Sequence, residues 1–481
     1  MFKRLIILFL LPKNIARESF KTTILENICY GGFIVVRLYK YLRNIQLNPP
    51  RVLALGFGAL ILLGAILLNL PIASKSGESI GFINSLFTSA SAVCVTGLVV
   101  VNTAEYWSLF GQIVIISLIQ MGGLGFMTMA TIVAMLMGKK ISLKERLVIK
   151  EQLNRDNISG LVKLTRYVVF STLLIELIGT ILLSTRFIPL YGFVTGLWYS
   201  VFHSISAFCN AGFDILGESI SPFVGDFIIN ITIASLIIIG GLGFNVYIDI
   251  SQKKSFKKLH LHSKLVIVIT LVLIFSGMFL ILLVEWNNPD TLAHLSTGDK
   301  LLASFFQSVI ARTAGFNSVD ISKLYDTTGF ILIILMYIGG SPGSTAGGIK
   351  TTTFGTIILT TLTVVRGNKD VSVFNRRISQ DVINRALAIA TIGLALILTV
   401  SLLLTLTEEG NFLDLLFETT SAFGTVGLTR GITPNLSNFG KIIISITMYL
   451  GRVGPLTMAF AFYQKQKQPL YRHCEGNIIV G

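Results

Sequence analysis

Four times in this chain a phenylalanine is followed ten residues later by a glycine: Phe87 to Gly97, Phe202 to Gly212, Phe305 to Gly315 and Phe417 to Gly427. The stretches read FTSASAVCVTG, FHSISAFCNAG, FFQSVIARTAG and FETTSAFGTVG, each Ser/Thr-rich and wedged between two apolar runs. A second glycine register follows at Gly122, Gly240, Gly339 and Gly451, midway along the next apolar run, in MGGLGF, IGGLGF, IGGSPG and LGRVGP. One polypeptide thus carries four copies of one unit: apolar helix, short helix, glycine loop, apolar helix. None can satisfy its loop backbone alone in lipid, so the copies are expected to close around a shared axis.

The flanking runs are long enough to cross a bilayer, which takes about 20 helical residues. Seven qualify: Arg51–Leu70, Ser108–Met137, Lys163–Thr185, Asp226–Ile250, Ser263–Val284, Ile383–Thr407 and Asn438–Tyr463. An eighth, Thr328–Val365, is too long and turns Gly-, Ser-, Thr- and Pro-rich from Gly339 to Thr353. With 52% hydrophobic and 13% charged residues among 481, the chain has too little polar material to coat a soluble globule. The expected fold is an all-α integral membrane protein of eight transmembrane spans, with four pseudo-symmetric helix, pore-loop, helix repeats around one central pore. The expected divisions are an N-terminal segment 1–50, repeats at 51–138, 139–250, 251–366 and 367–463, an intramembrane loop 339–353 inside the third, and a tail 464–481.

The net charge of +15 does not point to nucleic acid, because the basic residues crowd alternate loops. Lys139, Lys140, Lys144, Arg146, Lys150 and Arg155 share one, Lys253, Lys254, Lys257 and Lys258 the next, and Arg366, Lys369, Arg376 and Arg377 a third. The intervening loops carry few, such as Lys75 and Arg186. The positive-inside rule puts the basic loops and both termini in the cytoplasm and all four motifs outside. Residues 1–50 contain no run long enough to span and read as a segment near the membrane surface. Cys29, Cys94, Cys209 and Cys474 have no metal or redox spacing and read as small packing residues.

A short helix that enters from outside and stops halfway aims its C-terminal carbonyls at the membrane centre, which attracts cations. A glycine after it can take positive φ and turn carbonyl oxygens toward an axis, where they replace an ion's hydration shell. The candidate filter is therefore Val95, Thr96 and Gly97; Asn210, Ala211 and Gly212; Thr313, Ala314 and Gly315; and Thr425, Val426 and Gly427. None is a carboxylate, so coordination would fall to backbone, which suits a large monovalent cation better than a divalent one. Each glycine read singly is a helix C-cap; four in matching context argue for more.

At these residues the chain resembles the Trk/Ktr/HKT superfamily of potassium transporters. VCVTGL, FCNAGFD, ARTAGFN and GTVGLTRG are similar to its four filter segments, and GGSPGSTAGGIKTTT to its third-repeat intramembrane loop. Glycine in all four loops is the pattern of potassium-conducting members, and the lack of two extra N-terminal spans makes the chain similar to Ktr-type membrane subunits. The resemblance implies potassium uptake across a bacterial cytoplasmic membrane, a homodimer embedded in membrane lipid, a cytosolic nucleotide-binding regulatory ring, potassium as the ion and sodium as a candidate activator. A sodium-permeable or sodium-coupled transporter of the same superfamily is the alternative.

Departures from symmetry also carry information. Arg312 stands where the other loops have Cys94, Cys209 and Gly424, and Val309 where they have Ser91, Ser206 and Ser421. A guanidinium facing the path would repel cations, so Arg312 is expected to point behind the filter and brace its loop through carbonyls. Arg452 stands where other repeats have Gly123, Gly241 and Gly340. Such a charge is costly in a bilayer and should face water or a partner, acting either as a barrier or as a clasp on the intramembrane loop. The candidate gate is Gly339, Gly340, Ser341, Pro342, Gly343, Ser344, Thr345, Ala346, Gly347, Gly348 and Lys350, with Arg452; related members carry an arginine there with a gating role. An enzyme would need convergent titratable groups, whereas Glu176, His203, Asp249 and Glu418 share no motif. A secondary transporter with broken helices is the remaining rival, and the interrupted eighth span is what supports it.

Overall fold

A computed structural model of the protein describes residues 49–125, 128, 131, 146–148, 150, 161–454, 456–458, 476 and 479. The segment 1–48, most of the basic loop 139–155 and nearly all of the tail lie outside these residues.

One order of elements recurs four times. A long helix leads to a short helix, a glycine loop and a second apolar helix. The first series is α1 (Pro49–Leu68), α2 (Phe82–Cys94) and α3 (Leu109–Leu124). Next come α4 (Leu161–Tyr191), α5 (Phe193–Phe208), α6 (Phe227–Leu242) and α7 (Phe244–Lys253). The third is α8 (Leu261–Glu285), α9 (Thr297–Ile310), α10 (Asp326–Tyr337) and α11 (Thr351–Val365). The fourth is α12 (Gln380–Thr407), α13 (Phe412–Gly424) and α14 (Asn438–Val453).

The four long helices present apolar side chains outward: Leu62, Leu63 and Ile66 on α1, Phe170, Leu173 and Leu177 on α4, Phe275, Phe279 and Leu283 on α8, and Leu394, Leu398 and Leu402 on α12 are all exposed. A face of that chemistry requires lipid, and helices of 20, 31, 25 and 28 residues are long enough to cross it. The short helices are the interior. Phe87, Phe202 and Phe417 are fully buried, as the motif requires.

A third register of small residues fits the long helices to the short ones. Gly64, Gly179 and Gly277 face Ser89, Ser204 and Ser308, whose hydroxyls donate to Ile61 O (2.6 Å), Glu176 O (2.6 Å) and Ile274 O (2.7 Å). In the third series the buried ring is Phe306 while Phe305 is half-buried, so the spacing to Gly315 is one residue shorter than the ten-residue motif. The doubled phenylalanine offered both registers.

Three of the expected spans are corrected. Ser108–Met137, Asp226–Ile250 and Asn438–Tyr463 are not continuous: α3, α6 and α14 stop after 16 residues each, at Gly125, Gly243 and Gly454. Those glycines share one conformation, with φ of 82°, 89° and 92° and ψ of 135°, 139° and 132°. Only glycine adopts it cheaply. At Gly243 the chain turns by 92° into α7. The third series has Pro342 at this register, and there the interruption runs from Ile338 to Lys350, so Thr351, Thr352 and Thr353 belong to α11 and not to the loop. A short hairpin, β1 (Ser372–Val373) with β2 (Arg376–Arg377), is the one pair of strands among the described residues; Phe374 and Asn375 turn it with positive φ.

Candidate functional site

The four motif glycines come together. A Cβ built on Gly97 would meet Ala211 O at 2.5 Å, one on Gly212 would meet Ala314 O at 2.6 Å, and one on Gly315 would meet Val426 O at 2.7 Å. One on Gly427 would run into Thr96 O, closer still. Each loop therefore abuts the next and the last abuts the first, a closed ring in the order 97, 212, 315, 427. All four glycines have positive φ (97°, 68°, 70° and 89°), and no larger residue could take that conformation against a neighbouring carbonyl.

The residue two positions earlier in each loop is left-handed as well: Val95, Asn210, Thr313 and Thr425 have φ of 58°, 60°, 71° and 51°. Sequence reasoning placed these residues in the site but not their conformation. Asparagine tolerates the αL region; valine and threonine, branched at Cβ, do so at a cost of roughly 1–3 kcal/mol each. Such strain persists only where surrounding structure holds it. In loops 1, 2 and 4 the following amide closes a six-residue turn back to a serine carbonyl: Thr96 N, Ala211 N and Val426 N donate to Ser91 O, Ser206 O and Ser421 O, each at 2.8 Å. The Ser91 and Ser421 hydroxyls accept from Gly97 N (3.0 Å) and Gly427 N (3.1 Å), while Ser206 Oγ donates to Phe213 O (2.8 Å). Val309 can do neither, and loop 3 closes a tighter turn, Ala314 N to Ile310 O at 3.1 Å.

Arg312 is buried beside a small cavity that it lines with Ile237, Ile238, Gly241 and Val309. Its Nε has no hydrogen-bond partner, so the expected brace onto carbonyls is not made by that atom. Cys94 and Cys209 are buried free thiols; Gly123 packs on Cys209, in keeping with a packing role.

The second glycine register explains itself at this level. A Cβ on Gly122, Gly240 or Gly451 would collide with Val93 O, Phe208 O or Phe423 O, the carbonyls at the ends of α2, α5 and α13. Gly339 instead abuts Gly347 O, within its own segment. That segment, residues 338–350, lies against loops 2 and 4. Ser341 N donates to Gly241 O (2.9 Å), Thr345 N to Gly240 O (3.2 Å), and Gly343 O accepts from Phe244 N (3.0 Å). A Cβ on Gly243 would strike Pro342 O at 2.6 Å, and one on Gly347 would strike Thr425 Oγ1. Lys350 Nζ folds back onto Ala346 O (2.8 Å) and Gly347 O (3.3 Å), and Ser341 Oγ lies 2.9 Å from Thr351 Oγ1.

Arg452 meets the 338–350 segment and the end of α3. Its guanidinium donates to Thr345 O, to Gly122 O and, at 3.1 Å, to Gly123 O. Three non-adjacent segments are thereby tied by one permanent charge, whose acceptors are a carbonyl of the 338–350 segment and two carbonyls at the end of α3. Glu176, His203, Asp249 and Glu418 remain apart, each in its own local network: Glu176 accepts from Gln120, His203 Nδ1 lies 2.7 Å from Tyr199 O, Asp249 accepts from His260 N, and Glu418 accepts from Thr429 and Thr433.

The sequence matches the family model for the TrkH cation transport protein over residues 58–473. It is 44% identical over 442 residues to the Ktr system potassium uptake protein B of Bacillus subtilis, covering 92% of this chain and 99% of that one. It is 42% identical to the potassium/sodium uptake protein NtpJ of Enterococcus hirae, over 91% and 98% of the two chains. In fold it is similar to the crystal structure of the potassium transporter TrkH from Vibrio parahaemolyticus, with a TM-score of 0.66 and 17% identity over 85% of this chain and 83% of that one. The ring of four glycine loops, on a helical membrane scaffold shared with that structure, thus belongs to a chain that is a member of the TrkH family of cation transport proteins.

Proposed function

We propose that this protein takes up potassium across the cytoplasmic membrane through the axis of the four glycine loops, with segment 338–350 and Arg452 as its gate. The observation that carries this reading is the closed ring of Gly97, Gly212, Gly315 and Gly427. Four unlike loops contacting one another in cyclic order leave their carbonyls as the available ligands for a dehydrated cation. The proposed filter is the twelve residues of the four triplets, Val95 to Gly97, Asn210 to Gly212, Thr313 to Gly315 and Thr425 to Gly427. The recurring element order supports four repeats at 51–138, 139–250, 251–366 and 367–463, with eight membrane crossings.

Flux into proteoliposomes of the purified protein tests the reading. Potassium and rubidium should enter at least about fivefold faster than sodium, a preference worth roughly 1 kcal/mol. Equal rates would favour the sodium-permeable alternative, for which the printed name of the Enterococcus relative is the motivating observation. Absence of flux for all three would remove the pore.

Both termini are proposed to be cytoplasmic. Single cysteines at Lys75 and Lys258 should therefore react with an impermeant maleimide from opposite sides of the membrane, and labelling of both from one side would overturn the orientation. The proposed partners are a second copy of the chain and a cytosolic nucleotide-binding ring. In support of a cytoplasmic docking surface, the basic loops 253–264 and 366–377 meet: Phe256 packs edge-on to Phe374 at 6.2 Å and Lys264 lies over the same ring at 5.6 Å. Sodium as an activator and potassium as the bound ion are parts of the same proposal.

A further inference from the structure

The four left-handed residues that begin the loop triplets differ in what they can reach. Val95 carries no polar atom, Thr313 and Thr425 carry one hydroxyl each, and Asn210 alone carries an amide with two hydrogen-bonding ends. Its side chain is 1% exposed and spans three segments of the chain. Nδ2 lies 3.4 Å from Thr313 Oγ1 in loop 3 and 3.4 Å from Ile237 O at the end of α6. Oδ1 accepts from Thr345 Oγ1 of the 338–350 segment at 3.0 Å. The Thr345 hydroxyl also lies 3.2 Å from Phe208 O, at the end of the short helix that carries loop 2. The orientation of the amide follows from Ile237 O, which can only accept: Nδ2 faces it and Oδ1 faces the Thr345 hydroxyl.

Gly240 is what allows this approach. A Cβ there would lie 2.6 Å from Asn210 Oδ1 and 3.0 Å from Thr345 Oγ1. Among the described residues no comparable polar link runs to loop 1, whose matching residue is Val95. The segment's other close approach, Gly347 against Thr425, is a contact with a hydroxyl that has no hydrogen-bond partner. Among the described residues, the gate segment is therefore joined by hydrogen bonding to one side of the ring.

We propose that Asn210 is a specificity-positioning residue: through Thr345 it ties the geometry of loops 2 and 3, and so the preference among monovalent cations, to the seating of the 338–350 segment. The inference rests on the filter and gate reading above. Asn210 sits in a left-handed backbone conformation directly before Ala211, whose carbonyl abuts Gly97. A buried amide that loses one partner reorients to recover it. Where that reorientation shifts the Asn210 backbone, it carries the neighbouring Ala211 carbonyl with it. A gate that only obstructs would alter how much cation passes; a gate linked through Asn210 also alters which.

The test is the potassium-to-sodium flux ratio in proteoliposomes at matched protein density. Thr345→Val keeps the shape of the side chain and removes its hydroxyl. It should lower the ratio about fivefold, as expected for one lost buried hydrogen bond, while Thr345→Ser restores it to within about twofold of wild type. Asn210→Ala should lower the ratio by a similar factor, and Thr345→Val added to it should lower it no further, because both changes break the same link. A ratio in Thr345→Val within about twofold of wild type, or additive effects in the double variant, would overturn the coupling. Should Thr345→Val not reach the bilayer, Asn210→Ala carries the test, and an unchanged ratio there overturns it. Wild-type protein that passes no potassium would instead refute the functional reading on which the inference stands.

Discussion

Gly427→Ser should all but abolish potassium uptake, with a fall of at least about a hundredfold at equal surface abundance. Two costs act together at this position. Its φ of 89° disfavours any residue with a Cβ, by roughly 1–2 kcal/mol, and that Cβ would be driven into Thr96 O, which is backbone and cannot swing aside. Each 1.4 kcal/mol is about tenfold, so the conformational strain alone is worth roughly five- to thirtyfold and the backbone clash adds to it. The same substitution at Gly97, Gly212 and Gly315 should be graded more mildly, since the built Cβ sits 2.5, 2.6 and 2.7 Å from its neighbouring carbonyl. Gly58→Ser on α1, where a Cβ meets nothing within 4 Å, is the control and should leave uptake unchanged. Near-normal ion flux with unaltered preference in Gly427→Ser would reduce the motif glycines to helix caps.

Removing the Arg452 guanidinium should have the opposite sign. In Arg452→Ala the Thr345 carbonyl loses its donor, and so do Gly122 O and Gly123 O. Hydrogen bonds to a charged group contribute roughly 1.5–3 kcal/mol, so release of even one should shift the seating of the segment by about tenfold or more. Maximal potassium flux should rise by about that factor, read as initial rates at saturating potassium. Arg452→Lys keeps the charge but cannot reach three carbonyls with a planar fork, and should fall between wild type and alanine. A flux that stays level or drops in Arg452→Ala, with the protein inserted normally, would make the residue a packing element and not a clasp.

Much of this site was legible because its physics is local in sequence. Four glycines at matching distance from four phenylalanines mark where short buried helices end, and the Ser91 and Ser421 hydroxyls that cap Gly97 N and Gly427 N lie six residues before them. Val309, read as a break in that pattern, does give loop 3 a different turn. The long apolar stretches gave their helices to within a few residues for α1, α4, α8 and α12. The three shorter partners were read as continuous because hydropathy persists past Gly125, Gly243 and Gly454 while the backbone does not. GGLG, GGLG, GGSP and GRVG contain the signal, a breaker three residues after each waist residue, yet a lone glycine costs a helix only about 1 kcal/mol, too little to stop it without tertiary support.

The chain's composition, its apolar runs and its repeated glycines determined that it would be a helical membrane protein in which short buried helices end at glycine loops, since burying unpaired backbone in lipid leaves few other solutions. What the loops do to one another was decided in three dimensions. That Gly97 meets Ala211, that Gly427 closes back on Thr96, that Asn210 joins Thr345 to Thr313, and that Arg452 bridges Thr345 with Gly122 are contacts between residues about one hundred or more positions apart. No spacing rule reaches that far along a chain. Such pairs are selected only when the helices have packed and each freed carbonyl must find a donor, a glycine or an ion.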